Sequence, residues 1–275
     1  MLIWLPPSEG KNAPAVGSAL SLESLSHPGL TADRRKVADA LIELGAGSQA
    51  ASTLKVGDRI DLSVNETLMS APCAPASSLF TGVLFEAITA AAPDAWEGTG
   101  TEAVSVFSGL FGVLCPTDAI PDHRLAMGVS LPGFGVLSTW WAPRLDAALR
   151  EEASGQVVLD ARSGPYRAAC KAPWARVWEL RVVREAGGKR RVVSHDAKRW
   201  RGAVTGRLLA SGGYAAADTV ECEQQLTDAA HSVTLRDARG GEHRVTDVEF
   251  GAYRGAFRND AGGDNVPAFG CNESK

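Results

Sequence analysis

The ten residues Val157–Tyr166, VVLDARSGPY, constrain the fold more than any other stretch of the chain. An apolar run breaks at once into an acid, an arginine, a serine, a glycine and a tyrosine, as a buried strand does when it delivers polar groups to one edge of a sheet. In open α/β sheets ligands sit at the carboxyl ends of strands, because side chains and free backbone N–H groups converge there just outside the packed core. Asp160, Arg162, Ser163 and Tyr166 are therefore read as the middle of a binding site. Gly164-Pro165 stiffens the turn after Arg162-Ser163, and arginine suits bidentate recognition of a planar oxyanion. The plainer alternative is a surface loop with Arg162 stacked on Tyr166.

The remaining pattern supplies walls for such a site. Met1–Leu5 reads as a short buried strand and Pro6–Lys11, PPSEGK, as the loop leaving it. In that loop Lys11 can neutralise a phosphate or carboxylate and Glu9 can act as a base, with Ser8 beside them; alternatively the loop only turns the chain. Spacing and capping predict helices over Thr31–Leu44, Leu79–Ala92, Thr139–Ala153 and Ala197–Ala210, with Thr31 and Ser138 as N-caps and Gly45 as a stop. Strands are expected at Glu102–Phe107 and Leu125–Leu131. Two hairpins are expected, Ala175–Glu185 with Arg190–Ser194 and His231–Asp237 with Glu242–Phe250. Asn12–Gly29 has no period and reads as an irregular crossing. The expectation is a single α/β domain over residues 1–250, an α+β mixed sheet, followed by a flexible Gly- and Asn-rich tail at 251–275.

Charge and cysteine usage narrow the chemistry. The formal net charge is only −4, yet Arg162–Arg207 holds thirteen Lys/Arg against three acids, so one region is strongly basic and the rest acidic. Such separation attracts phosphates, nucleic acid or an anionic substrate, unless the run is simply a solvated surface. Five scattered cysteines without a C-x-x-C pair argue against a disulfide framework and a structural zinc, and the histidines show no metal-binding spacing. No metal or cofactor is expected. No apolar run reaches eighteen residues and the N-terminus has no secretory pattern, so a cytoplasmic protein without a membrane partner is expected.

Two further groups are candidates. Ser194-His195-Asp196 precedes the basic helix and places His195, Lys198, Arg199 and Arg201 around a helix N-terminus, whose free N–H groups favour an anion. Ser194 and His195 admit a nucleophile or acid/base role, with Glu9 and Asp160 as the other acid/base candidates, although a capping serine beside an exposed histidine explains the pair equally well. Gly109 and Gly112 match neither a dinucleotide fingerprint nor a phosphate-binding loop. They fit a backbone turn approaching DNA phosphates, or tight internal packing.

Four segments in order, MLIWLPPSEGK, SGLFGVLCPTDAIPDHRLAMG, VVLDARSGPY and SHDAKRWRGAVTGRLL, resemble the YaaA family of bacterial peroxide-stress proteins. The resemblance implies a compact single-domain α/β fold with a helix-hairpin-helix-like element beside a basic cleft. It further implies limitation of iron-dependent oxidative damage and double-stranded DNA as partner. Carried over, Gly109 and Gly112 would form the hairpin-like turn, with Pro116, Asp118 and Arg124 in the segment after it. Lys198, Arg201 and Gly202 would lie on the basic helix; Arg124, Lys198 and Arg199 become DNA-contact candidates. Where the family often carries a tyrosine this chain has Phe85, which removes any role for that hydroxyl. The residues themselves keep a second function open: an enzyme acting on a small anionic or nucleotide-like substrate, with Ser8, Lys11, Arg162, Ser163, Tyr166, Ser194, Lys198 and Arg201 as anion-binding groups.

Overall fold

A computed structural model describes residues 1–57, 59–186, 189–192, 197–230, 232–237 and 244–249, with side chains described up to Val182 and again over 197–230. In chain order the elements begin with β1 (Leu2–Leu5), α1 (Thr31–Leu44), α2 (Ser48–Leu54), β2 (Ala74–Pro75), α3 (Ala76–Leu79), α4 (Val83–Ala91), β3 (Val104–Ser108) and β4 (Gly112–Leu114). There follow β5 (Ala119–Ile120), β6 (Ser130–Leu131), β7 (Gly135–Val136), α5 (Leu137–Ala153), β8 (Val157–Asp160) and α6 (Gly164–Ala168). The last elements are β9 (Arg176–Ala186), β10 (Lys189–Val192), α7 (Ala197–Ser211), α8 (Thr219–Ala229), β11 (Ser232–Asp237) and β12 (Arg244–Glu249). This is the mixed α/β single domain that the pattern predicted.

The main sheet runs β11-β12-β9-β8-β1-β3-β4, with β10 hairpinned onto β9. Its centre is parallel: β1 pairs with β3 on one side and with β8 on the other, and β8 pairs in parallel with β9. The chain leaves β1 toward β3 and later returns to β1's opposite flank, so the order reverses at β1. A reversal of this kind opens a crevice at the strands' carboxyl ends. The loops after Leu5, Ser108 and Asp160 all leave that edge.

Burial explains why these segments are strands and not helices. Ile3, Trp4 and Leu5 of β1 and all of Val104–Ser108 and Val157–Asp160 are buried, as strands covered on both faces must be. The helix α5 presents Leu137, Trp141, Leu145 and Leu149, four residues apart, to the core. Arg34 on α1 is fully buried and donates to the carbonyls of Phe111 and Val113, which fastens α1 to β4.

Several expectations need revision. Of the helix expected over Leu79–Ala92 only Val83–Ala91 forms α4; Leu79 is the last residue of α3, Phe80 after it is extended, and Gly82, at φ 93° where a side chain is strained, precedes α4. Of Leu125–Leu131 only Ser130–Leu131 pairs as strand, against β7. Thr31 is the first residue of α1, capped by Leu30, and its hydroxyl donates to Leu22. Ser138 lies inside α5, which starts at Leu137. The hairpin arms pair as expected on β9/β10 and β11/β12. Ser194, His195 and the tail at 251–275 lie outside the described residues.

The helices α4 and α7 are the closest-packed pair, and glycine is the cause. A Cβ on Gly202 would stand 2.2 Å from the Leu84 carbonyl oxygen, and one on Gly206 2.6 Å from that of Ile88. The register rises together along both helices, so they run parallel and begin at the same edge of the molecule. The N-terminus of α4 lies close to the loop after β1: Ser8 Oγ stands 2.9 Å from where a Gly82 Cβ would be. Among the described residues no helix is long and apolar enough to cross a membrane.

Candidate functional site

The PPSEGK loop is strapped down immediately after β1. Lys11 bridges Phe80 in antiparallel fashion, Asn12 N–H donates to Leu79, and Thr81 N–H donates to the carbonyl of Gly10. This clamp directs the Lys11 side chain over the Phe80 ring, with Nζ 5.7 Å from its centroid. Burial, then the charge of Arg124, pushes the Lys11 amine down to about 8, against the pull of Asp122 and Glu9.

A second wall comes from the segment after β5. Asn65, fully buried, accepts from Arg124 N–H at 2.7 Å and donates to the Arg124 carbonyl at 3.2 Å, gripping that backbone as a strand partner would. His123 is buried between Phe80 and Phe111, which both meet its ring edge-on. Burial and then Lys11 push its pKa well below the ordinary value, so the ring is neutral. Its Nδ1 lies 2.9 Å from the Pro121 carbonyl, which can only accept; Nδ1 therefore carries the proton and Nε2 the lone pair. Arg124 spends Nη1 on Asp122 and on the His123 carbonyl, while among the described residues its Nε and Nη2 carry no hydrogen bond.

These walls enclose a cavity of about 380 Å³ that also receives Ser8, Glu9, Ser108, Lys55 and Tyr166. Leu54, Val56, Ile60, Phe80 and Leu125 form its apolar lining. Ser108 closes β3 by accepting the N–H groups of Leu110 and Phe111 on its Oγ. Burial pushes the Tyr166 phenol up to about 12, so it stays protonated and can donate. Size, apolar walls and a few convergent polar groups are the features of a small-ligand site.

The structure thus brings Ser8, Glu9, Lys11 and Tyr166 together, and adds Arg124, which the family resemblance had placed among DNA contacts. Ser163 is exposed and caps α6 without a side-chain hydrogen bond, outside the cavity lining. His123, Lys55, Ser108 and Asn65 escaped the reading of the sequence. Only the cluster Asp122-His123-Arg124 hinted at one of these, His123, and nothing in the sequence pairs Asn65 with Arg124.

Asp160 and Arg162 require a correction. Both are buried, and Arg162 Nε and Nη2 donate to the two Asp160 oxygens at 2.8 and 3.0 Å. Further donors go to the carbonyls of Tyr166 and Cys170, and the guanidinium lies 4.0 Å from the Phe107 centroid and 4.5 Å from that of Trp4. Arg167 adds a contact to Asp160 and one to Glu179. Burial opposes ionisation of Asp160, but the charge and hydrogen bonds of Arg162, with Arg167, hold the carboxyl below its ordinary value. Arg162 is thus an internal strut and does not reach the cavity as an anion clamp.

Gly109 and Gly112 are also internal. A Cβ on Gly109 would meet the Leu125 carbonyl oxygen at 2.6 Å, and one on Gly112, at φ 74°, would meet the Trp141 ring at 2.9 Å. Their turn joins two strands of a β-hairpin, not two helices, and is buried, so it offers no backbone to DNA. Asp118 is structural as well, accepting from Ser26 and Cys115. On α7, Lys198 and Arg199 are exposed, whereas Arg201 turns inward to donate to Leu180. Gly202 belongs to the α4–α7 contact. None of these α7 residues lines the cavity.

The geometry defines a class first: an open α/β protein with a small cavity, lined by Lys11 and Arg124 among others, at the strand ends beside its topological reversal. Within that class the chain belongs to the YaaA family, since the family model "Peroxide stress protein YaaA" matches residues 1–224. The "UPF0246 protein SCO2297" of Streptomyces coelicolor is similar at 39% identity, over 90% of this chain and 98% of its own length. The "UPF0246 protein CE1889" of Corynebacterium efficiens is 33% identical over 87% and 97% of the two chains. The "UPF0246 protein Cgl1995/cg2186" of Corynebacterium glutamicum is 35% identical over 76% and 85%.

Proposed function

We propose that the protein binds a small anionic molecule in the cavity between β1, β3 and α6 and acts on it by acid/base chemistry. The observation that carries this reading is the Lys11 amine, sunk beside Arg124 and neutral His123 with its pKa at about 8. A fold gains nothing from forcing two cations together in a part-apolar pocket; an anion seated between them relieves that cost. Arg124, with Nε and Nη2 unspent, supplies the fork for a carboxylate or phosphate. Glu9 and the Nε2 lone pair of His123 are the proton acceptors, and Tyr166 is a donor. A role in limiting iron-dependent damage under peroxide would then run through this ligand.

One observation keeps a DNA-binding reading as the alternative: Lys198 and Arg199 are exposed on the first turn of α7. Its support is narrower than the basic run suggested, because Arg162 and Arg167 are neutralised internally and Arg201 and Arg207 donate to backbone carbonyls. Thermal-shift titration with nucleotides, phosphorylated metabolites, carboxylates and short duplex DNA separates the two. A small anion that raises Tm in the wild type and not in Arg124→Ala supports the cavity. A salt-sensitive response to duplex DNA alone, lost in Lys198→Ala/Arg199→Ala and intact in Arg124→Ala, overturns it in favour of DNA.

A further inference from the structure

We propose that Lys11 forms a covalent imine with its ligand, so that the ligand class is an aldehyde or ketone that also bears an anionic group. This deepens the small-anion reading of the cavity and rests on it. The geometry is that of an amine nucleophile and not only of a counter-ion. The bridge between Lys11 and Phe80 fixes the backbone, and the side chain crosses an aromatic face to end among Arg124, His123 and Glu9. A lysine held only to pair with an anion works best as a fully charged, hydrated ammonium. Here the surroundings do the reverse.

The groups facing the amine come from each element packed on it. Glu9 lies on its own loop, Asp122, His123 and Arg124 on the segment after β5, Lys55 after α2, and Tyr166 on α6. Apolar surroundings and a neighbouring cation are the two means by which a lysine is activated for attack on a carbonyl carbon, and Lys11 has both. With its pKa at about 8, roughly a tenth of Lys11 is free base at pH 7, against about one part in several thousand for an ordinary lysine. Arg124 Nε and Nη2 hold the ligand's anionic group, which leaves its carbonyl carbon to the amine.

The steps balance without a redox partner. The Lys11 nitrogen lone pair adds to the carbonyl carbon, whose oxygen takes up a proton to give a carbinolamine. The nitrogen gives up a proton to Glu9 or His123 Nε2. The hydroxyl, protonated in turn, leaves as water, and a C=N bond replaces C=O. Condensation of one amine with one carbonyl releases one water.

The test is reductive trapping on the full chain. Glyoxylate and pyridoxal 5′-phosphate serve as anionic carbonyl probes, propionate as an anion without a carbonyl, and acetaldehyde as a carbonyl without an anion. Each is incubated at pH 7 with cyanoborohydride, which delivers hydride to an imine carbon, and the seven lysines are mapped by mass spectrometry. The expected result is a secondary-amine adduct on Lys11 with an anionic carbonyl probe, at least about tenfold faster than on Lys36. Repeated across pH 6–10, its rate relative to that on Lys36 should follow Lys11 deprotonation, with a midpoint near pH 8. Lys11→Arg should keep the thermal shift with the same probe and lose the adduct. The mapping itself needs no variant, so a folding defect in Lys11→Arg leaves the result intact. Adducts spread evenly over Lys11, Lys36 and Lys55 overturn the proposal. A probe-induced, Arg124-dependent Tm rise without a Lys11 adduct overturns the imine while leaving the anion cavity standing. No Tm rise and no adduct with either probe overturns the imine, and the wider anion screen then decides the cavity.

Discussion

Lys11→Met should stabilise the protein at neutral pH while removing ligand capture. Methionine keeps the length and the apolar contact with Phe80 but discards the charge that burial and Arg124 disfavour. The drop from 10.5 to about 8, at about 1.4 kcal/mol per unit, sets an upper estimate on the order of 3 kcal/mol for the cost of that charge. Movement of the flexible stem toward water lowers the yield to about 1–3 kcal/mol. For a chain of this size that is a Tm rise of roughly 2–10 °C. The sign with pH follows from proton counting. Between about 8 and 10.5 the folded state has released the Lys11 proton and the unfolded state has not, so wild-type stability gains as pH rises through that window. The advantage of the Met variant is therefore full below pH 8 and closes above about 10.5. Differential scanning fluorimetry at pH 7 and pH 11 measures both points, and isothermal titration with a bound anion measures the functional loss. A lower Tm for Lys11→Met at pH 7, or a difference unchanged between the two pH values, would refute the reasoning.

Three other outcomes are expected. Asp160→Asn leaves the Arg162 guanidinium buried without its counter-charge and should cost about 3–5 kcal/mol in urea unfolding. Because the Asp160 carboxyl is depressed in the fold, its contribution is present above the unfolded value near 4 and lost as pH falls through the folded one. The variant should accordingly show a flatter acid limb, and a loss under 1 kcal/mol would return Arg162 to the ligand-binding candidates. Gly202→Ala tests the α4–α7 contact by sign: helix propensity alone predicts a gain of about 1 kcal/mol. The 2.2 Å approach to the Leu84 carbonyl instead predicts a loss of about 1–3 kcal/mol or more, and a raised Tm would contradict the contact. Asn65→Leu frees the Arg124 backbone and should lower stability by about 1–3 kcal/mol. It should also weaken anion affinity about tenfold although Asn65 is outside the cavity lining; unchanged affinity would show that Arg124 needs no such grip.

What the sequence determined by itself is the set of features written in short-range pattern. The buried strands at Met1–Leu5 and Val157–Asp160, the helix at Thr31–Leu44 and the exit loops carrying Glu9, Lys11 and Tyr166 are visible there, because hydrophobic period and turn chemistry act over a few residues. The family was legible too, since its four segments are contiguous. Side-chain direction was decided only by the tertiary structure. Arg162 and Lys11 both follow the carboxyl ends of neighbouring parallel strands, yet one turns under the sheet edge onto Asp160, Trp4 and Phe107 while the other points into the cavity. That difference comes from partners that are distant in sequence: Phe80 bridges Lys11, and Asn65 holds the Arg124 backbone. Gly109 and Gly112 likewise read equally as a DNA-facing turn or as tight packing until the backbone and side chains packed against them are known. Pattern specifies which residues reach the edge of a sheet; contacts across the fold specify which of them stay free to meet a ligand.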